Sequence, residues 1–262
     1  MPGHPVRMEL IGETNVGMKR AHNEDNFSIV SEENLVIVAD GMGGHASGEV
    51  ASKMAIDAMR EFFEATAKDP DATWPYKMDK QRSYEENRLI TSVKLANLRI
   101  FEAAQREPRY RGMGTTLVVC LVVREGIIVG HVGDSRVYRI RNGAIDQLTE
   151  DHSLLNDYLK MRKLTEEEIA NFPHKNVIVR ALGMKDSVKV DSKLDHPNAG
   201  DIYLLCSDGL SGPVSDPEIL RLVEENKSDL KAAASRLIAR ANENGGPDNI
   251  TACLIRWVGP TN

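Results

Sequence analysis

The chain has 262 residues, 41% hydrophobic and 27% charged, with a formal net charge of -6 from 33 basic and 39 acidic side chains. This is the composition of an ordinary soluble globular protein, and it argues against a nucleic-acid or anionic-membrane surface, either of which calls for a basic patch. No apolar run approaches the ~20 residues that span a bilayer, and the opening MPGHPVRMELIG lacks the charged-then-apolar form of a signal peptide.

In chain order, residues 9–17 read as a short turn-like segment. The polar MKRAHNED follows, then FSIV as a short strand. LVIVADGMGGH is a buried strand rich in Val and Ile that runs into Asp40, after which Gly41, Gly43 and Gly44 free the backbone to turn. Apolar spacing predicts a helix over 48–65 and a second over 84–105. The polar, proline-containing stretch 69–82 between them is a loop, with Trp74 and Tyr76 expected to pin it to the body. Strands at 112–123, 126–135, 136–143 and 144–149 read as a meander, with hairpin turns at Arg124-Glu125-Gly126 and Arg141-Asn142-Gly143. Residues 150–186 are polar and mostly helical, a peripheral excursion in which Thr165 and Glu168 form a capping box. A core strand over 201–210, helices over 216–225 and 229–243, and a last buried strand after GGPDN complete the chain.

Cys120, Cys206 and Cys253 all lie inside apolar runs, which reads as reduced core residues and a cytoplasmic location. None is the nucleophile of a cysteine-phosphatase loop, because the positions six residues on are Gly126, Gly212 and Gly259 rather than arginine.

An isolated Asp-Gly is ordinarily just a turn. Here, however, apolar runs end in Asp40, Asp134 and Asp208, Asp248 directly precedes the last strand, and Glu24 and Asp25 directly precede the first short one. Carboxylates brought together at strand ends repel one another unless protonated or neutralised by cations. Hard oxygen donors point to magnesium or manganese, with calcium possible. Two such ions about 4 Å apart can acidify a water and so hydrolyse a phosphate ester. Arg20, close to Glu24 in sequence, can bind a phosphate dianion through two prongs.

The stretches RAHNED, ADGMGGH, GTTLVV, VGDSRVY, LTEDH, RALG, CSDGL and GGPDNIT, spanning residues 20–251, resemble the metal-dependent serine/threonine protein phosphatases (the PPM or type-2C family) in their compact bacterial form. The resemblance implies an α+β fold, a four-layer α/β/β/α sandwich of two antiparallel sheets flanked by helices, with residues 1–262 a single free-standing catalytic domain. It implies two to three Mn2+ or Mg2+ ions. Asp40 would bridge two of them and the Gly41 carbonyl would hold one. Asp208 and Asp248 would complete the other site, Glu24 would act directly or through water, and Asp25 would support it closely. Asp134 with Asp208 would hold a third, looser ion. Arg20 would bind the substrate phosphate, and residues 153–184 would form a variable flap.

The expected substrates are phosphorylated proteins, including a serine/threonine kinase and its targets, acted on by a monomer. One departure stands out. Some members carry a histidine after the Asp-Gly as proton donor to the leaving group, whereas this chain has Met42, leaving that donor unassigned. His45 reads as a loop-structuring residue, and His131 and His152 as hydrogen-bonded framework. Asn249 is expected to orient Asp248 or its loop, and Thr115 and Thr116 to pack or bond under the site. The alternative, a silent metal-binding regulator that captures phosphoproteins, would have lost metal aspartates that this chain retains. A calcium module fails because no twelve-residue ligand loop ends in glutamate.

Overall fold

Eleven strands fall into two antiparallel sheets in the computed structural model, which describes residues 6–44, 47–69, 71–162, 164–170, 172 and 177–260. The strands are β1 (Val6–Asn15), β2 (Asp25–Val30), β3 (Leu35–Met42), β4 (Gly114–Thr115), β5 (Leu117–Val123), β6 (Gly126–Val132), β7 (Arg136–Arg141), β8 (Ala144–Gln147), β9 (Asp191–Asp195), β10 (Ile202–Cys206) and β11 (Ile250–Pro260). The helices are α1 (Ser47–Lys68), α2 (Tyr84–Arg106), α3 (Leu154–Met161), α4 (Glu166–Ala170), α5 (Asp208–Ser211), α6 (Asp216–Glu225) and α7 (Leu230–Glu243). One sheet runs β1-β11-β10-β7-β8; the other runs β2-β3-β5-β6-β9, with β4 paired to β3.

The two-residue period of the central strands builds three cores from one set of residues. Leu35, Ile37 and Ala39 of β3 face α1 and α2, while Val36 and Val38 face the other sheet. On β10, Tyr203 and Leu205 meet Val36 and Val38 between the sheets, and Ile202, Leu204 and Cys206 pack under α6 and α7. Strands buried on both faces must read as continuous apolar runs, as LVIVA and IYLLC do. The layers are therefore helices, sheet, sheet, helices. Cys120 and Cys253 lie between the sheets and Cys206 under the helices; all are unpaired and buried, and burial pushes the Cys206 thiol up to about 12.

Three sequence expectations need correction. Residues 9–17 are mostly strand: β1 pairs with β11 along its whole length, from Val6↔Pro260 to Asn15↔Ile250. Met8 and Leu10 reach the inter-sheet core, while polar neighbours and Gly12 mask the alternation. Gly12 lies hard against the Phe27 ring, leaving no room for a side chain.

The expected meander is instead two hairpins in different sheets, β5–β6 and β7–β8, because the chain crosses between sheets at Gly133–Ser135. Gly133 adopts φ 113, and a Cβ there would lie 2.5 Å from Thr116 Cβ, so this crossing requires glycine. Asp208 ends no strand: β10 stops at Cys206, and Asp208 opens the short helix α5. β9, an edge strand on β6, was hidden in the polar DSKLD.

Local signals held where the chemistry is local. Asn142 and Gly143 have φ 51 and 74, as a two-residue hairpin turn requires. Thr165 and Glu168 exchange capping-box bonds of 2.8 and 3.2 Å. Trp74 packs its ring 5.5 Å from Phe62 and 5.1 Å from Tyr84, pinning the 69–82 loop to α1 and α2.

Candidate metal centre and its cleft

The carboxylates singled out in the sequence come together from both sheets. Asp25, the first residue of β2, pairs in register with Asp40 near the end of β3. Asp134 follows β6, Asp208 opens α5 after β10, and Asp248 precedes β11. Asp40 feels the charges of Asp25, Asp208, Asp134 and Asp248, and shares a hydrogen bond with Asp208. A cleft of ≈ 630 Å³ opens on the cluster, lined by Asp134, Arg136, Asp151, Asp208, Asp248 and the Ser211–Pro213 turn among others. By contrast, the groove between α1 and α2 presents charges that neutralise each other, Arg99 with Glu61 and Arg106 with Glu102, and lies away from these carboxylates.

Burial and mutual repulsion dominate the electrostatics. Burial, reinforced by the neighbouring aspartates, drives the Asp40 carboxyl well above the usual carboxylate range. Burial lifts Asp134 to about 7, with Asp208 and Asp151 adding to it, and lifts Asp25 to about 6 against the hydrogen bonds from Thr251 and Ser207. Asp208 is raised by burial and by Asp248. Buried oxygens of Asp25 (Oδ1) and Asp134 (Oδ1) have no hydrogen-bond partner. Buried carboxylates that repel each other, with orphaned oxygens and no lysine among the cleft-lining residues, fit hard divalent cations such as manganese or magnesium.

The supports are local and specific. Thr115 Oγ1 and the Thr116 amide donate to the Asp40 carbonyl at 2.8 and 2.9 Å. The Gly41 amide donates to the Glu24 carbonyl at 3.1 Å, and the Glu24 carboxylate accepts from the Gly48 amide at 3.2 Å. Asn249 is a hub: its Nδ2 donates to the Val16 and His22 carbonyls, its Oδ1 accepts from the Glu24 amide, and its own amide donates to Asp248 Oδ1. Arg20 stands half-exposed at the edge, with Nη2 2.7 Å from Asp248 Oδ2. Met42 pairs with Gly114, beside Met184.

His131 and His152 do not aim at the carboxylates. Their rings stack 4.6 Å apart; His131 Nε2 lies 2.9 Å from the Glu150 carbonyl, and His152 bridges the Gly133 amide and Asp191. His131, His152 and Asp191 approach a metal-ligand grouping, but Arg180 Nη1 lies 2.9 Å from His152 Nε2 and 3.1 Å from Asp191 Oδ2, so a guanidinium already supplies the cation. His45 lies outside the described residues.

Sequence reading missed three contributors. Ser207 and Thr251 each donate to Asp25 Oδ2 at 2.7 Å, and Gly48 packs against both Glu24 and Gly41. The hydroxyls sit beside Asp208 and Asp248 in the very stretches CSDG and PDNIT, so proximity in sequence was the available signal.

The sequence matches the family described as Protein phosphatase 2C over residues 17–255. It is 37% identical over 249 residues to the serine/threonine phosphatase stp of Listeria innocua, covering 92% of this chain and 93% of that one. The Mycobacterium tuberculosis serine/threonine phosphatase PstP/Ppp superposes with a TM-score of 0.83 at 34% identity, over 96% of this chain and 99% of that one. The catalytic domain of PstP in complex with 2 manganese ions superposes with a TM-score of 0.77 at 34% identity, over 96% and 98%. Sheets, cleft and sequence agree: the chain belongs to the protein phosphatase 2C family.

Proposed function

We infer that this chain is a metal-dependent protein phosphatase that hydrolyses phosphoserine and phosphothreonine esters. The observation that carries the reading is the clustering of Asp40 with Asp134, Asp208 and Asp248, the last three of which line one open cleft, with Arg20 bonded to Asp248. Asp40, the Gly41 carbonyl, Asp208 and Asp248 would hold two manganese or magnesium ions, with Glu24 acting on them directly or through water and Asp25 supporting. Asp134 with Asp208 would hold a third. When bound, such a pair of ions makes a water nucleophilic toward phosphorus at neutral pH.

The chain's own groups do the rest. Arg20 presents a fixed cation to the phosphate oxygens, and its hydrogen bond to Asp248 sets its direction. Asn249 ties the Glu24 backbone and the Asp248 carboxylate into one unit, so both sides of the carboxylate cluster move together. The openness of the cleft suits a phosphorylated segment of another protein better than a small enclosed ligand.

The substrates are phosphorylated proteins, a serine/threonine kinase and its targets among them. Residues 1–262 act as one catalytic domain, in the cytoplasm and as a monomer. In support, both sheets share the inter-sheet core, and no helix among the described residues is long and apolar enough to cross a membrane. The silent-regulator alternative finds no support, since the sequence retains Asp40, Asp134, Asp208 and Asp248. Purified Asp208→Asn, tested on a phosphothreonine peptide with manganese, should lose turnover while keeping its circular dichroism. Normal turnover by that variant would sink the assignment.

A further inference from the structure

Asp134 poses a positioning problem. Its Oδ1 is buried without a hydrogen-bond partner, so nothing in the protein grips that oxygen and its aim depends on the backbone that carries it. That backbone is held at Gly133 by His152, and on its other side at Ser135, whose Oγ lies 2.7 Å from Thr116 Oγ1. His152 Nδ1 accepts the Gly133 amide proton at 3.0 Å, and the His152 amide donates to the Gly133 carbonyl at 2.9 Å. Gly133 cannot drift the other way, because Thr116 packs where its Cβ would be.

The same histidine, just before α3, also meets the chain where it returns at residues 177–180. Its carbonyl accepts from the Val179 amide at 2.9 Å, and the next pair, Ser153 and Ile178, form an isolated bridge. Accepting at Nδ1 leaves the ring proton on Nε2, which lies 3.0 Å from Asp191 Oδ2. Arg180 Nη1 lies 2.9 Å from the same ring nitrogen and 3.1 Å from Asp191 Oδ2; both nitrogens are donors, so the shared Asp191 oxygen is the acceptor that joins ring and guanidinium. His152 is 5% exposed, so its ring has no solvent to substitute for these partners.

We propose that His152 is a positioning residue that locks the Gly133–Asp134 backbone to the segment at Val179–Arg180, so that the placement of Arg180 and Asp191 sets how well Asp134 holds a divalent cation. The proposal rests on the reading of Asp134 as a ligand of the third, looser ion. It gives Arg180 and Asp191 a physical handle on the metal cluster: a shift of either turns the His152 ring, and the ring's Nδ1 is the acceptor that fixes Gly133.

Calorimetric titration of the full metal-stripped chain with manganese tests this without using catalysis. Wild type should show two tighter equivalents and one weaker, and Asp134→Asn should lose the weaker one. His152→Phe keeps the ring and loses the acceptor; it should weaken that weaker equivalent by about tenfold or more, as supporting partners of metal ligands do, and leave the tighter pair unchanged. His152→Asn retains an acceptor near the Nδ1 position and should restore most of the loss. If His152→Phe does not fold, Arg180→Met and Asp191→Asn should weaken the same equivalent in the same direction. Unchanged weak binding in folded His152→Phe, or in both substitute variants, overturns the role of His152 alone. A wild-type isotherm that stops at two equivalents overturns the Asp134 site and the proposal with it.

Discussion

Arg20 Nη2 lies 2.7 Å from Asp248 Oδ2, so this cation at the mouth of the cluster is tethered to a carboxylate that belongs to it. The tether fixes where the guanidinium points, yet its side chain remains 51% exposed and available to a phosphate. Arg20→Ala removes a charge-assisted contact worth about 1.5–3 kcal/mol, which should raise KM for a phosphopeptide by about tenfold or more. Because the pair is exposed, the melting temperature should hardly move. Steady-state kinetics and a thermal melt on the same preparation check both halves. A fall in kcat with unchanged KM would place Arg20 elsewhere in the mechanism.

Asn249 should matter for stability as much as for activity. Its buried amide binds two carbonyls and one amide from the 16–24 segment. Asn249→Ala leaves these groups without their partner, at a cost of about 3 kcal/mol. Chemical denaturation should show that loss with the m-value unchanged. A stability within about 0.5 kcal/mol of wild type, the usual range for ordinary surface changes, would mean that water replaces the hub.

The metal-stripped protein should have an unusual pH profile. Asp134 and Asp25 have folded values of about 7 and about 6, above the ordinary 3.8, so above these values the folded state holds charges it disfavours. The folded chain binds more protons than the unfolded one in this window, so stability rises as pH falls from 8 toward 6.5. Below 6.5 the histidines oppose the trend. Burial, with His131 nearby, holds His152 down to about 4, so its stabilising contribution, present above 6.5, is lost as pH falls toward 4. Two raised carboxylates set against this lowered imidazole leave the carboxylates ahead, so the melting temperature in EDTA should rise as pH falls from 8 to 6 and rise more gently below that. Manganese, competing with protons for the same oxygens, should flatten the rise. A melting temperature in EDTA that climbs steadily from pH 6 to 8 would contradict the repulsion described here.

Gly48→Ala sets two effects against each other. Alanine ordinarily favours a helix over glycine by about 0.5–1 kcal/mol. Here its Cβ would lie 2.8 Å from Glu24 Oε1 and 2.8 Å from the Gly41 carbonyl carbon, a clash with backbone that costs about 1–3 kcal/mol. The clash wins, and it displaces Glu24. Manganese affinity should fall by about tenfold, as read by titration. Unaltered affinity would show that Glu24 takes no part in holding metal.

Much of this was legible in the sequence because the central strands are buried on both faces. LVIVAD and IYLLCSD announce themselves as apolar runs, and their aspartates stand where the runs stop. What stayed hidden depends on distant partners. β1 looks turn-like because its pairing comes from β11, some 240 residues away in sequence, and the crossing at Gly133 depends on Thr116. Ser207 and Thr251 bind Asp25 only because two sheets meet at one edge. The resemblance carried by ADGMGGH and GGPDNIT anticipated the four layers, which alternation along single strands could not have shown.

The most direct test of the central claim is the manganese dependence of phosphothreonine-peptide hydrolysis by the EDTA-stripped chain. The expected result is no hydrolysis in EDTA and recovery that saturates only once about two equivalents of manganese are bound. Hydrolysis that continues undiminished in EDTA, or none at any manganese concentration, would contradict it.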